Sequence, residues 1–276
     1  MTLVAVLSIA TAAQPASAAQ GDLIVALGDS FSSGEGAPKF EQDANGRTHR
    51  CHRSSKAWPA LLAERKDASF VSFACSGART TDVVGNKPQG LPSQIGRLAE
   101  LDSVDLVTLT VGGNDLGFKG VLINCGTAFT RCDRRYGEGP RDLSEAIGDL
   151  EPKLRSVYRR VRDAAPGADL LVLGYPRLFP KRPERSVCAG YAPNEVLFLN
   201  ARIAEANRAI RRAAGSVGAR FGQVQNAFTG REVDCGKDPR KLQVNRPTLQ
   251  FPVHFWFHPN ASGYRELADL AAPLWP

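Results

Sequence analysis

The sequence predicts a three-layer α/β domain, with helices covering both faces of a mostly parallel five-stranded sheet. Two observations lead there. Five apolar runs of strand length alternate with segments whose apolar residues recur at helical spacing. Three of those runs, the first, third and fourth, are continuous rather than alternating, as strands buried on both faces of a parallel sheet must be.

In chain order, the first strand is expected at 23–29 (LIVALGD). A helix follows at WPALLAERK, where proline in the first turn fits a helix start. SFVSFAC (69–75) gives the second strand, SQIGRLAEL a helix, and DLVTLTVGG (105–113) the third strand. Residues 141–165 set Leu143, Ile147, Leu150, Leu154, Val157, Tyr158 and Val161 along one stripe, with Pro152 expected to bend or divide the helix. DLLVLGYP (169–176) and RFGQVQ (220–225) supply the last two strands, around a second amphipathic helix at 194–214. SGYRELADLAAPL closes the chain as a helix. No Pro-, Gly- or Ser-rich linker and no internal repeat divides it, so residues 20–276 read as one domain.

Residues 1–19 read differently. LVAVLSIATAA is apolar but too short to span a bilayer, and Ala16-Ser17-Ala18 fits the small-x-small pattern of a cleavage site. A secretory signal is expected here, although its usual basic start is missing, which places the protein outside the cell. Six cysteines (Cys51, Cys75, Cys125, Cys132, Cys188 and Cys235) agree, because an even number in an exported chain reads as disulfides. Their spacing lacks the rhythm of a zinc site and leaves the pairing open. The net charge of +7 is scattered without interleaved aromatics, which argues against nucleic-acid binding.

Ligands of such sheets bind outside the carboxyl ends of the strands, and there the sequence places GDSFSSGEG (28–36), CSGART and GGND. Ser30 follows the first strand at a turn toward helix. Alone it reads as a turn or N-cap serine; with a base it is a nucleophile. A phosphate loop is excluded, since neither G-x-x-x-x-G-K-[ST] nor G-x-G-x-x-G is present. G-x-S-x-G is absent too, because Ser32 takes its last position. Asn114, at the end of the third strand, can donate to an oxyanion or else cap the following helix, a role for which Asp115 is an equal candidate. Gly77 offers an unobstructed N–H or an ordinary turn. Of the four histidines, His49 and His52 lie in a polar loop, while His258, before the last helix with Asn260 as its N-cap, is the stronger base candidate and His254 its rival.

Taken together, GDSFSSGEG, CSGART, GGND and HPN resemble, in order, the four blocks of the SGNH or GDSL-type hydrolases. The resemblance implies a flavodoxin-like fold and ester hydrolysis through an acyl-enzyme. It implies Ser30 as nucleophile, His258 as general base, and an oxyanion hole from the Ser30 and Gly77 N–H groups and the Asn114 amide. Ser32 and Ser33 are then turn residues. The cysteine layout is similar to that of secreted actinobacterial esterases and lipases, which implies Cys51–Cys75, Cys125–Cys132 and Cys188–Cys235. This chemistry requires no metal and no cofactor. The expected substrate is a small-molecule or lipid ester, phospholipid included, met by a monomer in transient contact with a lipid interface. A polysaccharide O-deacetylase and a non-catalytic secreted binding module are the alternatives. One departure stands out: where the family has aspartate three residues before the histidine, this chain has Phe255. A main-chain carbonyl at Phe255 or Trp256, or else Asp234, must then orient His258.

Overall fold

The apolar runs become a sheet of five parallel strands: β1 (Leu23–Gly28), β2 (Ser69–Ser72), β3 (Leu106–Thr110), β4 (Asp169–Leu173) and β5 (Arg220–Gly222), in the order β2-β1-β3-β4-β5. The computed structural model describes residues 21–86, 90–126, 131–139, 142–183, 185, 187–188, 190–250 and 252–276. The expected secretory signal therefore lies outside the described residues. The central strands β1, β3 and β4 are almost wholly buried, while β2 and β5 at the edges are partly open to solvent. That is why only the central three read as continuous apolar runs.

Between the strands run α1 (Ser30–Ser33), α2 (Trp58–Arg65), α3 (Thr80–Val84), α4 (Gln94–Leu98), α5 (Phe118–Cys125), α6 (Cys132–Gly137), α7 (Leu143–Ala164), α8 (Pro193–Gly215) and α9 (Ala261–Ala271). They flank the sheet in two groups, α2 packing on α9, and α7 on α8, α3 and α4. Trp58, Tyr158, Phe179, Phe228 and Tyr264 are the bulkiest fully buried side chains.

Pro152 does not divide α7, which runs unbroken from Leu143 to Ala164. Proline inside a helix costs about 3 kcal/mol. Against it stand seven buried side chains, Leu143 to Val161, on both sides of the proline. Each contributes about 1.5–3 kcal/mol. Packing outweighs the missing hydrogen bond.

Disulfides join Cys51 to Cys75, Cys125 to Cys132 and Cys188 to Cys235. The first ties the long loop after α1 to the end of β2. Strand order reverses between β1 and β3, since β1 leads outward to β2 on one side and β3 continues on the other. A crevice forms at such a switch point.

Candidate active site

β1 ends in that crevice. Gly28 there has φ +116°, and a Cβ on it would meet the Thr110 carbonyl oxygen at 2.2 Å, so only glycine lets β1 turn against β3. Asp29 caps α1, its carboxylate accepting the Phe31 N–H at 2.9 Å. Ser32 Oγ accepts the Thr110 N–H at 3.0 Å, and Ser33 Oγ donates to the Ser30 carbonyl at 3.3 Å. Two of the three serines therefore brace the turn. The third, Ser30, has Oγ 2.8 Å from His258 Nε2.

His258 arrives on an irregular segment. Its Nδ1 lies 3.1 Å from the Trp256 carbonyl. A carbonyl can only accept, so Nδ1 carries the proton and Nε2 is left to accept from Ser30. Phe255 packs its ring on Phe40 and His254. Asp234 is occupied elsewhere, accepting the Gly236 N–H at 2.9 Å and pairing with Arg185 at 3.4 Å. Asn245 clamps the segment: its N–H and amide donate to the His258 carbonyl at 2.9 and 3.2 Å, and the amide also donates to the Gly36 carbonyl at 2.9 Å. Gly36 has to be glycine, because a Cβ there would come within 2.9 Å of His258 Cβ. Phe257, with φ +64°, sits in the left-handed region that non-glycine residues avoid. Asn260 caps α9, and Tyr264 from α9 donates to the Ser30 and Glu35 carbonyls at 3.2 and 2.8 Å.

Burial pushes the His258 imidazole down to about 4, opposed by the nearby carboxylate of Glu35 and assisted by Lys119 and His254. Burial pushes Asp29 up to about 7, against the hydrogen bonds it accepts from Tyr175 and Phe31.

On the other side of Ser30, the Asn114 amide donates to the Ala78 carbonyl at 3.0 Å, which pins it beside the Gly77 loop with one N–H to spare. Asp115 caps α3 instead of the helix that follows it, accepting from the Thr80 N–H and hydroxyl at 3.0 and 2.5 Å. Among the described residues nothing accepts from the Ser30 or Gly77 backbone N–H. The Gly113 N–H is taken by Tyr175, whose hydroxyl in turn donates to Asp29 at 2.5 Å.

A family profile described as GDSL-like lipase/acylhydrolase matches residues 26–266. The chain belongs to the GDSL-like lipase/acylhydrolase family. As a GDSL-like enzyme it is a carboxylic ester hydrolase. It is 35% identical over 263 residues to Lipase 1 of Streptomyces coelicolor, covering 94% of this chain and 88% of the relative. The crystal structure of the extracellular lipase of Streptomyces rimosus is similar with a TM-score of 0.74 at 31% identity, covering 92% of this chain and 99% of that one. Phospholipase A1 of Streptomyces albidoflavus NA297 gives 0.73 at 32% identity, with the same coverage.

The GDSL-like fold opens beside Ser30 into a cleft. Phe31, Leu116, Phe118, Leu122, Leu150, Leu178, Ile203 and Trp256 make most of its wall, with Asn114, Lys119, Tyr175 and His258 as polar lining. His49 is not part of it and accepts the Cys51 N–H at 3.2 Å within its own turn. His52 and His254 meet Glu35 instead, at 2.7 and 3.7 Å. Sequence reasoning missed Tyr175, Glu35 and Lys119. The one signal for Tyr175 was its place at the carboxyl end of the fourth strand.

Proposed function

We propose that this enzyme hydrolyses lipid esters, with Ser30 as nucleophile and His258 as general base. The observation that carries the reading is the 2.8 Å contact between Ser30 Oγ and His258 Nε2 at the edge of an apolar cleft. His258 Nε2 takes the hydroxyl proton as Ser30 Oγ bonds to the ester carbonyl carbon, and the carbonyl electrons move onto oxygen. The Ser30 and Gly77 N–H groups and the spare Asn114 N–H hold that oxyanion. Collapse breaks the bond to the alcohol, which leaves with the proton from His258. Water then gives a proton to His258 as it attacks the acyl-enzyme, and collapse releases the acid as His258 passes that proton to the departing Ser30 Oγ. With no carboxylate on Nδ1, the Trp256 carbonyl and the field of Glu35 stabilise the imidazolium.

The wall chemistry selects the substrate. A sugar polymer needs polar groups along its path, whereas this cleft offers aromatic and aliphatic side chains that suit an acyl chain. Fully exposed Leu249 and half-exposed Val253 precede Trp256 and give a monomer an apolar contact for a lipid surface. Among the described residues no helix is long and apolar enough to cross a membrane. The kinship with an extracellular lipase and the apolar start of the chain support export. A panel of esters of rising acyl length, with phospholipid and acetylated xylan beside them, tests the reading. Rates should climb from acetyl to medium or long chains. Preference for acetylated xylan would transfer the assignment to the deacetylases.

A further inference from the structure

Glu35, His52 and His254 come from three separate segments yet converge at the rim of the site. Their ligating atoms all lie within 4.8 Å of one another. Glu35 is fully buried. Its Oε2 accepts from Ser76 Oγ at 2.6 Å and faces His52 Nδ1 at 2.7 Å. Its Oε1 is buried with no hydrogen-bond partner, and His254 Nε2 lies 3.7 Å from it. A carboxylate oxygen kept from water without a partner is costly, typically about 1–3 kcal/mol or more. The two imidazoles lie 5.0 Å apart between centroids, tilted by 40°, and remain partly open to solvent, so an ion can reach them.

We propose that Glu35, His52 and His254 form a binding site for a divalent cation of the zinc class. Two imidazoles and one carboxylate are the donors such an ion takes, with the fourth position left to water. Tetrahedral bonds of about 2.0–2.2 Å hold ligand atoms roughly 3.3 Å apart. The present separations, 2.7 Å from His52 to Oε2 and 3.7 Å from His254 to Oε1, lie on either side of that value, and all the ligating atoms lie within 4.8 Å of one another. A modest swing of half-exposed His254 completes the set. Lys119 lies near enough to His254 to oppose a cation, so affinity rests on the three bonds and not on the local field. Bound zinc would offset the charge of Glu35, which favours the protonated form of His258, and ester hydrolysis would slow. This last consequence rests on the role given to His258; binding itself does not.

The test is calorimetric titration of tag-free, chelator-treated full-length protein with zinc chloride near neutral pH. Cobalt is added in parallel to read the visible absorption of a four-coordinate site. The expected result is one saturable zinc site per chain, weakened roughly 10- to 100-fold or more in His254→Ala and in His52→Ala, with the cobalt band lost in both. Circular dichroism checks that the variants fold; His254→Ala, at a half-exposed position, should retain basal hydrolysis within a few fold. No saturable binding, or binding unchanged in both variants, overturns the site. Binding that leaves turnover unchanged keeps the site and overturns the inhibition. Inhibition that persists in His254→Ala after its binding is lost overturns the inhibition as well.

Discussion

The two partners of the 2.8 Å contact are held in opposite ways. Ser30 stands at the end of the buried strand β1, and regular backbone pairing with β3 fixes it: Gly28 pairs with Thr110, and Asp29 donates its N–H to the Thr110 carbonyl at 2.9 Å. His258 stands at the end of an irregular segment, held by one asparagine, one strained residue and one carbonyl. Sheet geometry positions the first, with the Asp29, Ser32 and Ser33 side chains bracing the turn that continues the strand. The second depends on a few specific bonds, so its position is easier to damage and its chemistry easier to tune.

The sharpest break of that comparison is at Ser30. Ser30→Ala should abolish ester hydrolysis, by about 10⁴-fold or more, and prevent labelling by a fluorophosphonate. Its melting temperature should stay close to that of the parent, because the turn is braced by Ser32, Ser33 and Asp29 and not by the Ser30 hydroxyl. Retained turnover would end the serine-hydrolase reading, and labelling at another residue would move the site.

Asn245→Ala probes the other side. It removes the amide bonds to the Gly36 and His258 carbonyls; the second keeps the backbone N–H of residue 245, and the first is left a buried acceptor without a partner among the described residues. A displacement of His258 by about 1 Å can cost on the order of 10²-fold, and unpaired buried groups about 1–3 kcal/mol each. Turnover and melting temperature should therefore fall together, unlike at Ser30. A drop in neither would mean that Phe257 and the Trp256 carbonyl suffice to hold the histidine.

The same contrast governs what the sequence disclosed. Strand, glycine and serine are adjacent in the chain, so the Ser30 turn was legible in GDSFSSGEG, and so was the sheet. The strands end one to three residues short of their apolar runs; Phe73, Ala74 and Val111 stay buried after ladder pairing stops. Glu35 with His52 and His254, Tyr175 with Asp29, and Asn245 with Gly36 were not legible. Each joins residues whose meeting depends on the path of a loop, and periodicity carries no record of that path. Of the two outcomes expected at Pro152, a bend or a break, the break does not occur: local propensity favoured it, and tertiary packing overrode it.

Protonation provides a smaller and cleaner test. The acid limb of kcat/KM reports the free enzyme's base, and His258 is held down to about 4. Activity should therefore persist well below the ordinary imidazole value and fall only as pH approaches about 4. Glu35 and the Trp256 carbonyl raise that midpoint, while burial, Lys119 and His254 lower it. Stability is a poorer readout, because two groups oppose each other. Between 6.5 and about 4 the unfolded chain protonates His258 first, so stability is lost as pH falls. Asp29, raised from 3.8 to about 7, binds its proton more tightly when folded, so stability is lost as pH rises through that range. A kinetic limb near 6.5 would show that substrate-free His258 is not desolvated as its burial implies.

The smallest expected effect decides what orients the histidine. An imidazole acting as base needs its other nitrogen held, and a buried aspartate is the usual holder; its replacement by asparagine can cost about 10⁴-fold in turnover. Here Phe255 occupies the aspartate's place in sequence, and Asp234 is turned to the Gly236 N–H and to Arg185. The Trp256 carbonyl at 3.1 Å from Nδ1 is left to fix the tautomer. It does so with a partial charge only, and for that reason the field of Glu35 carries more of the imidazolium's stabilisation than it would beside an aspartate. Asp234→Asn should accordingly change turnover by no more than a few fold, with any loss appearing in stability through the bonds to Gly236 and Arg185. A loss near 10⁴-fold would make Asp234 the third member of a triad reached by rearrangement of its loop, and would remove the distinction drawn here between a serine set by the sheet and a histidine set by its own backbone.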